Sequence, residues 1–256
     1  MGQEQSRQDT RTRRRFLNGA AGVGAGITAA GFVDIFGIGA AGPLAEAAGD
    51  PDESVATIVN VAATAETLAV TFYYTVLMGA TFRIDEPAGA YLRLAMEAEM
   101  SHLDNLRPLG GASSRQRFYL PDRLLTDAGV FVDTAVTVET TLAGVYLAAT
   151  HQFAALGRPL LAASAAQHAV SEAQHLTLVG QLAGLAPHSL MLPAPVFARV
   201  SDAAPALAPF LTEGDGFGRP ANAPTARQYQ AALGDTTATR MRSFGEDYRA
   251  ETRLER

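Results

Sequence analysis

Residues 96–106 read MEAEMSHLDNL and place a carboxylate and an imidazole one helical turn apart, at Glu99 and His102. The stretch SEAQHL repeats this Glu-x-x-His pattern at Glu172 and His175. Residues three apart on a helix project from one face, so each pair can direct both side chains at one point. A chain of this composition contains roughly a quarter of one such pair by chance, so the second copy is what makes the pattern informative.

A lone glutamate precedes each pair by 33 residues, and a tyrosine follows each lone glutamate by seven. These residues are Glu66 and Tyr73 in the first repeat, and Glu139 and Tyr146 in the second. A helix–turn–helix unit therefore occurs twice, at an offset of 73 residues. Each tyrosine lies two turns along the same helix face as its glutamate. The neighbours of both glutamates are largely apolar or small, which indicates buried faces rather than solvated ones.

Apolar residues at helical spacing predict four helices in the middle of the chain. They run from Asp52 to Met78, from about Pro87 to Leu109, from after the N-cap Asp127 to about Leu156, and from Pro159 to Gly184. Short connections make the first two, and the last two, antiparallel hairpins. The middle connection, residues 111–126, can span ~50 Å, whereas a helix of ~25 residues is ~37 Å long. We therefore expect an all-α fold, an antiparallel four-helix bundle with one long crossover.

The N-terminal stretch TRRRFLN, residues 12–18, resembles a twin-arginine export signal. The uncharged segment after it is built mostly of Gly and Ala, so it is only weakly hydrophobic, and an A-x-A cleavage pattern follows at residues 45–47. An uncleaved anchor is the alternative, because signals and membrane spans grade into one another. The resemblance implies passage through the twin-arginine machinery to the periplasm, cell wall or extracellular space. Such export carries folded proteins, so a metal could be loaded in the cytoplasm.

Beyond the bundle, 7 of the 13 prolines fall between Pro187 and Pro224, which excludes a continuous helix there. Apolar residues in this region predict that it wraps on the bundle. Helical spacing returns over residues 225–256 and predicts a terminal helix. The expected organisation is a signal peptide at residues 1–47, the bundle at residues 48–184 and a Pro-rich extension with a terminal helix at residues 185–256.

The composition of the chain excludes several kinds of partner and functional site. The 256-residue chain is 48% hydrophobic and 18% charged, which is typical of a globular protein. Its formal charge is −6 and the body of the chain has no basic run, so a nucleic-acid partner is not expected. The absence of cysteine excludes thiolate metal sites and cysteine nucleophiles. Four carboxylates and two imidazoles inside a bundle would be costly as bare charges, and a pair of divalent cations is the natural compensation.

With these motifs, residues 52–184 resemble the ferritin-like carboxylate-bridged dimetal superfamily. The resemblance puts the lone glutamates and the two Glu-x-x-His pairs in the ligand positions: Glu66, Glu99, His102, Glu139, Glu172 and His175. It favours Glu99 and Glu172 as the bridging carboxylates, with each imidazole capping one ion. Carboxylate-rich sites with a few imidazoles suit two Fe ions or, alternatively, two Mn ions. The passage FYLPDRLLTDAGVFVDTAV also resembles the exported, desiccation-related branch.

Three further residues are candidates for a catalytic role outside the ligand set. His168 lies on the inward face of its helix, where the first repeat has Ala95, and is interpreted either as a hydrogen-bonding or proton-relay residue or as a packed histidine bonded to a neighbouring helix. Tyr73 and Tyr146 could hydrogen-bond carboxylate ligands, transfer electrons, or be ordinary core tyrosines. We favour hydrogen bonding to the ligands.

The expected function is therefore that of an exported dimetal protein reacting with dioxygen or hydrogen peroxide. A di-iron oxidase or peroxidase would consume Fe(II) or a reductant, whereas a dimanganese catalase-like enzyme would evolve oxygen without either. The alternative is an envelope bundle, structural or passively metal-binding, that protects against drying. A homodimer is compatible with the sequence.

Overall fold

The computed structural model describes residues 53–184, 196–236 and 243–245. The predicted signal peptide at residues 1–47 lies outside these residues and stays a prediction. Most of the predicted terminal helix, residues 225–256, lies outside them too, and within its described part the helix Ala226–Leu233 ends at Gly234, whose φ is 62°.

Four long helices form the core of the protein. They are α1, Val55–Gly79; α2, Glu86–Leu106; α3, Ala128–Ala155; and α4, Pro159–Leu182. Helices α1 and α2 pack as one hairpin and α3 and α4 as another, with α1 also lying against α3. The all-α, ferritin-like bundle predicted from the sequence is confirmed.

Polar side chains fix the starts of three of these helices. The side chain of Ser54 accepts a hydrogen bond from the backbone of Thr57 at α1, and that of Asp85 accepts one at α2. Asp127 is the N-cap of α3, as predicted, while α4 begins at Pro159, whose fixed backbone suits a first helical turn. Each helix therefore begins close to where the sequence predicts it.

The second helix ends three residues earlier than expected. A 3-10 turn, Arg107–Leu109, replaces its last turn and contains Pro108. Gly110 then closes the turn with a φ of 89°, a left-handed conformation that glycine adopts without steric cost. The chain leaves α2 at this point and enters the crossover.

The crossover carries a strand that the sequence analysis did not predict. Strand β1, Arg117–Leu120, pairs antiparallel with β2, Arg219–Asn222, with Phe118 opposite Ala221. Phe118 and Leu120 are fully buried. The crossover is therefore anchored to the core and to the C-terminal extension together.

The extension packs on the bundle through short elements. These are a 3-10 helix, Val200–Ala203, and the helices α5, Ala204–Leu211, and α6, Ala226–Leu233. The carboxylate of Glu53 accepts hydrogen bonds from the backbone of Val200 at 3.1 Å and of Ser201 at 2.9 Å. This pair of bonds ties the extension to the chain just before α1.

Two helices, α1 and α3, are long and apolar enough by composition to span a membrane. In both, about seven in ten residues of the apolar window are buried within the protein, 72% in α1 and 67% in α3. These two helices carry the lone glutamates and supply much of the hydrophobic core. Their apolar character is thus explained by packing inside the bundle.

Gly144 in α3 allows the extension to approach the bundle closely, and replacing it by alanine is expected to lower stability. A Cβ there would lie 2.5 Å from Cγ2 of Val196 and 2.8 Å from the ring of Phe197. Such overpacking costs about 1–3 kcal/mol. At Gly180 in α4 an added Cβ meets nothing within 4 Å, so Gly180→Ala should stabilise the helix by up to about 1 kcal/mol. Thermal unfolding of the two variants should shift in opposite directions; a Gly144→Ala protein as stable as wild type would contradict this packing.

Candidate metal centre

The structure brings together all six residues that the sequence selects as candidate ligands. One comes from each of α1 and α3, and a Glu-x-x-His pair comes from each of α2 and α4. All four glutamates are fully buried, and the two histidines are 6% and 7% exposed. The cluster thus lies inside the bundle, away from solvent.

The first group surrounds His102. Its Nδ1 atom lies 3.2 Å from Oε1 of Glu66 and 3.2 Å from Oε2 of Glu99. Oε1 of Glu172 lies 2.9 Å from the same nitrogen. One imidazole nitrogen therefore faces oxygens from three different helices.

The second group surrounds His175 in the same way. Its Nδ1 atom lies 2.8 Å from Oε1 of Glu99 and 3.2 Å from Oε2 of Glu172. Oε2 of Glu139 lies 3.5 Å away. Glu99 and Glu172 thus belong to both groups, whereas each lone glutamate belongs to one.

The unpaired atoms of this cluster fit two metal ions. An imidazole nitrogen carries at most one hydrogen, yet each Nδ1 faces three carboxylates, and these short contacts lack hydrogen-bond geometry. Among the described residues, the buried atoms without a hydrogen-bond partner include Oε2 of Glu66 and Glu139, both carboxylate oxygens of Glu99 and Glu172, and Nδ1 of His102 and His175. In each group the candidate ligand atoms lie within 4.8 Å of one another. A divalent cation in each group would satisfy these atoms, and oxygen-rich donors with one imidazole suit Fe or Mn.

The two lone glutamates are protonated more readily than usual. Burial raises the pKa of Glu66 well above its ordinary value, although the facing His102 opposes the shift. Burial, together with the negative charge of Glu99, raises the pKa of Glu139 to about 8. Without metal, the Glu139 carboxyl therefore favours the neutral form near neutral pH, and burial shifts the pKa of Glu66 in the same direction.

The shared glutamates and the histidines favour their charged forms. Burial opposes ionisation of Glu172, but His102 and His175 outweigh it and lower its pKa to about 2. Burial and Glu172 likewise oppose the ionisation of Glu99, yet the two imidazoles lower its pKa overall. Burial disfavours the charged form of both histidines, but the facing carboxylates raise their pKa values well above normal. The metal-free cluster therefore balances two carboxylates against two imidazolium groups.

Mn(II) binding is expected to weaken steeply as the pH falls. Imidazolium and neutral carboxyl groups must lose their protons before they can bind a metal, and lower pH retains those protons. Each proton released changes the affinity about tenfold per pH unit, so a combined slope above one is expected between pH 6 and 8. Competition with a chromogenic chelator at several pH values would measure it, with circular dichroism as the control for folding. An affinity that does not change over this range would contradict the assignment.

Two buried tyrosines hold the lone glutamates across the bundle. The hydroxyl of Tyr73 in α1 donates to Oε1 of Glu139 in α3, and the hydroxyl of Tyr146 in α3 donates to Oε1 of Glu66 in α1. Burial and the facing carboxylates raise the pKa of both tyrosines well above 10, so both remain donors. The contact to a candidate ligand is the one favoured from the sequence, but the partner is the glutamate of the opposite helix. Any catalytic role of these tyrosines stays a prediction.

His168 lies beside the first group. Its ring stacks on that of His102 with centroids 4.4 Å apart, and it meets the ring of Tyr146 edge to face at 4.7 Å. Its Nε2 atom lies 3.2 Å from the side-chain nitrogen of Asn105 in α2. Burial, with the neighbouring His102, lowers the pKa of His168 well below normal, so the ring is neutral.

Asn105 and Tyr91 also lie at the site, although neither was predicted from the sequence. Asn105 is three residues after His102 and 9% exposed, so its helical position was the available signal. Tyr91 donates through its hydroxyl to the backbone oxygen of His175 at 3.1 Å. The contact between Tyr91 and His175 could not be predicted from the sequence, because it depends on how α2 packs against α4.

The fold and the cluster together define a four-helix bundle with a buried carboxylate–imidazole site. The family model of the ferritin-like domain matches residues 54–185, just over half of the chain. The chain belongs to the ferritin-like domain family. A search of curated proteins and a search of solved structures each returned no match.

Proposed function

We propose that this ferritin-like chain is an exported dimetal protein whose two ions, Fe or Mn, react with dioxygen or hydrogen peroxide. The observation that carries the proposal is the pair of overlapping ligand groups that share Glu99 and Glu172. Two shared carboxylates would bring two cations close together, and the two remaining glutamates and two histidines would give each cation its own ligands.

Each ligand group has fewer residues than Fe or Mn commonly binds, so a small reactant could also bind the metal. Each group offers four residues, and Fe and Mn commonly accept more ligands than that. When bound, such ions supply redox chemistry on dioxygen or peroxide at their open positions.

The buried position of the site favours a small reactant over a large one. All four glutamates are fully enclosed, and both lone glutamates lie among the core residues of α1 and α3. An apolar groove does run along the outer face of α3 and α4, past Leu147, Val170 and Leu178, but it is lined by none of the site residues. A molecule the size of dioxygen or peroxide fits a closed core better than an organic substrate does.

The chain's own residues keep the ligands in place. The tyrosine hydroxyls of α1 and α3 each hold one oxygen of a lone glutamate, so that carboxylate is fixed from the opposite helix. Fixed ligands are what a site needs to bind ions in a defined geometry. The surrounding apolar core excludes water, which protects reactive species from side reactions.

The proposal includes export through the twin-arginine machinery, supported by the TRRRFLN motif at residues 12–18. Replacing Arg13 and Arg14 by lysine should retain the full-length chain in the cytoplasm, which fractionation with an antibody would detect. Unchanged export of that variant would contradict this part of the proposal.

The redox proposal is tested with the exported protein loaded with Fe or with Mn. Peroxide loss and oxygen evolution are followed with and without added Fe(II), and the Glu99→Ala/Glu172→Ala variant serves as the control. Consumption that requires Fe(II) supports an oxidase or peroxidase, whereas oxygen evolution without a reductant supports a catalase-like reaction. Loaded protein that does neither overturns the redox proposal in favour of a passive metal-binding envelope bundle.

A further inference from the structure

The two repeats match at every candidate ligand and at both tyrosines, but they differ beside His102. At the offset of 73 residues, His168 in the second repeat corresponds to Ala95 in the first. Asn105 in the first repeat corresponds to Leu178 in the second. Both polar members of these unequal pairs lie on the His102 side of the site.

The polar residues form a connected support behind the His102 ring. His168 stacks on that ring, and the amide nitrogen of Asn105 donates to Nε2 of His168 at 3.2 Å. The hydroxyl of Ser243 lies 3.4 Å from the amide oxygen of Asn105, and Ser243 is itself 5% exposed. Residues 243–245 thus reach this cluster through Ser243, and the backbone of Phe244 donates to the exposed side chain of Gln167 at 3.0 Å beside it.

The His175 side has different residues at the corresponding positions. Ala95 offers only a methyl group, which can neither stack nor hydrogen-bond, and Leu178 is 39% exposed at the surface. Tyr91 does contact His175, but its hydroxyl donates to the backbone oxygen of His175. This hydrogen bond does not fix the orientation of the His175 ring. The two ligand groups therefore have the same donor residues, but only the His102 ring is supported by a stacked histidine and an asparagine.

We propose that the two metal positions are inequivalent, and that the His102 position binds its ion more tightly and fills first. The inference rests on the proposed dimetal site. His168 and Asn105 act as positioning residues, because they hold the ring of His102 in one orientation and reduce the ordering needed on binding. Residues that orient a metal ligand typically contribute 10–100-fold to affinity.

Because both metal positions share two carboxylates, a difference in their affinities would make them bind their ions one after the other. Glu99 and Glu172 each present one oxygen to His102 and the other oxygen to His175, so an ion in the first position would draw on the negative charge that the second position also needs. Its positive charge also repels a second cation a short distance away. A moderate preference for one position therefore becomes two separate binding steps.

The experiment is a Mn(II) titration of the full exported chain after its metal has been removed, with free and bound Mn(II) followed by electron paramagnetic resonance. The variant His168→Ala/Asn105→Leu gives the His102 side the residues of the other repeat. Wild type should bind two ions in two steps, with single-ion protein predominating at half loading. The variant should weaken the first step by about 10–100-fold, leave the second step nearly unchanged and still bind two ions.

Three further measurements keep the test decisive. Val170→Ala, at a 59% exposed position of α4, should leave both steps unchanged. His168→Phe keeps a ring that can stack on His102, so its first-step affinity should fall less than that of the double variant. It also provides the test if the double variant does not fold. Ser243→Ala should weaken only the first step.

The outcomes separate the two proposals. Equal affinities in wild type, or equal weakening of both steps in the double variant, would overturn the inference while leaving the dimetal site intact. Fewer than two ions bound to wild type would overturn the dimetal site itself.

Discussion

The double variant Glu99→Ala/Glu172→Ala is expected to lose both metal ions. These two glutamates are the residues common to both ligand groups, so their removal leaves each position with one histidine and one glutamate. Two ligands from separate helices do not hold Fe or Mn against a competing chelator, and binding should fall below detection. Equilibrium dialysis against Mn(II) followed by elemental analysis would measure this loss.

Single substitutions of the lone glutamates provide the matched comparison. Glu66 belongs only to the His102 group and Glu139 only to the His175 group. Glu66→Ala and Glu139→Ala should therefore each weaken one ion and leave the other bound. A double variant of Glu99 and Glu172 that folds normally and keeps two ions would show that these residues are not shared ligands.

Removing the metal from wild-type protein is expected to lower its thermal stability strongly. The metal-free core must retain four fully buried carboxyl groups and two imidazoles, many of whose atoms lack hydrogen-bond partners among the described residues. An ion present at 1,000 times its dissociation constant stabilises the folded state by about 4 kcal/mol. For a chain of this size, two such ions correspond to a rise in Tm on the order of 10–30 °C.

Calorimetry with and without a chelator would measure this shift. The Glu99→Ala/Glu172→Ala variant is the control, because a protein that binds no ion should not respond to the chelator. A wild-type Tm that changes by less than about 2 °C, on a protein this size, would mean that the cluster contributes little binding energy.

Much of the bundle could be predicted because its signals are local. The helical spacing of apolar residues, the cap at Asp127 and the proline at Pro159 each act within one or two turns of the chain. The candidate ligands could be found for the same reason, since Glu-x-x-His is a pattern within a single helix and the repeat displays it twice.

The features that were not predicted depend on contacts between distant parts of the chain. Strand β1 pairs with β2 about a hundred residues later, and neither four-residue strand has a distinctive pattern by itself. Tyr73 and Tyr146 were expected to contact ligands, but which glutamate each one meets depends on how α1 packs against α3. The contact between Asn105 and His168 likewise requires α2 and α4 to be side by side.

The most direct test of the account is the metal content of the wild-type protein, purified after export from its own cells and analysed for all transition metals. A dimetal centre requires two Fe or two Mn ions per chain, and that is the expected result. Fewer than two ions per chain, in a protein that also binds no second ion from added Fe(II) or Mn(II), would contradict it.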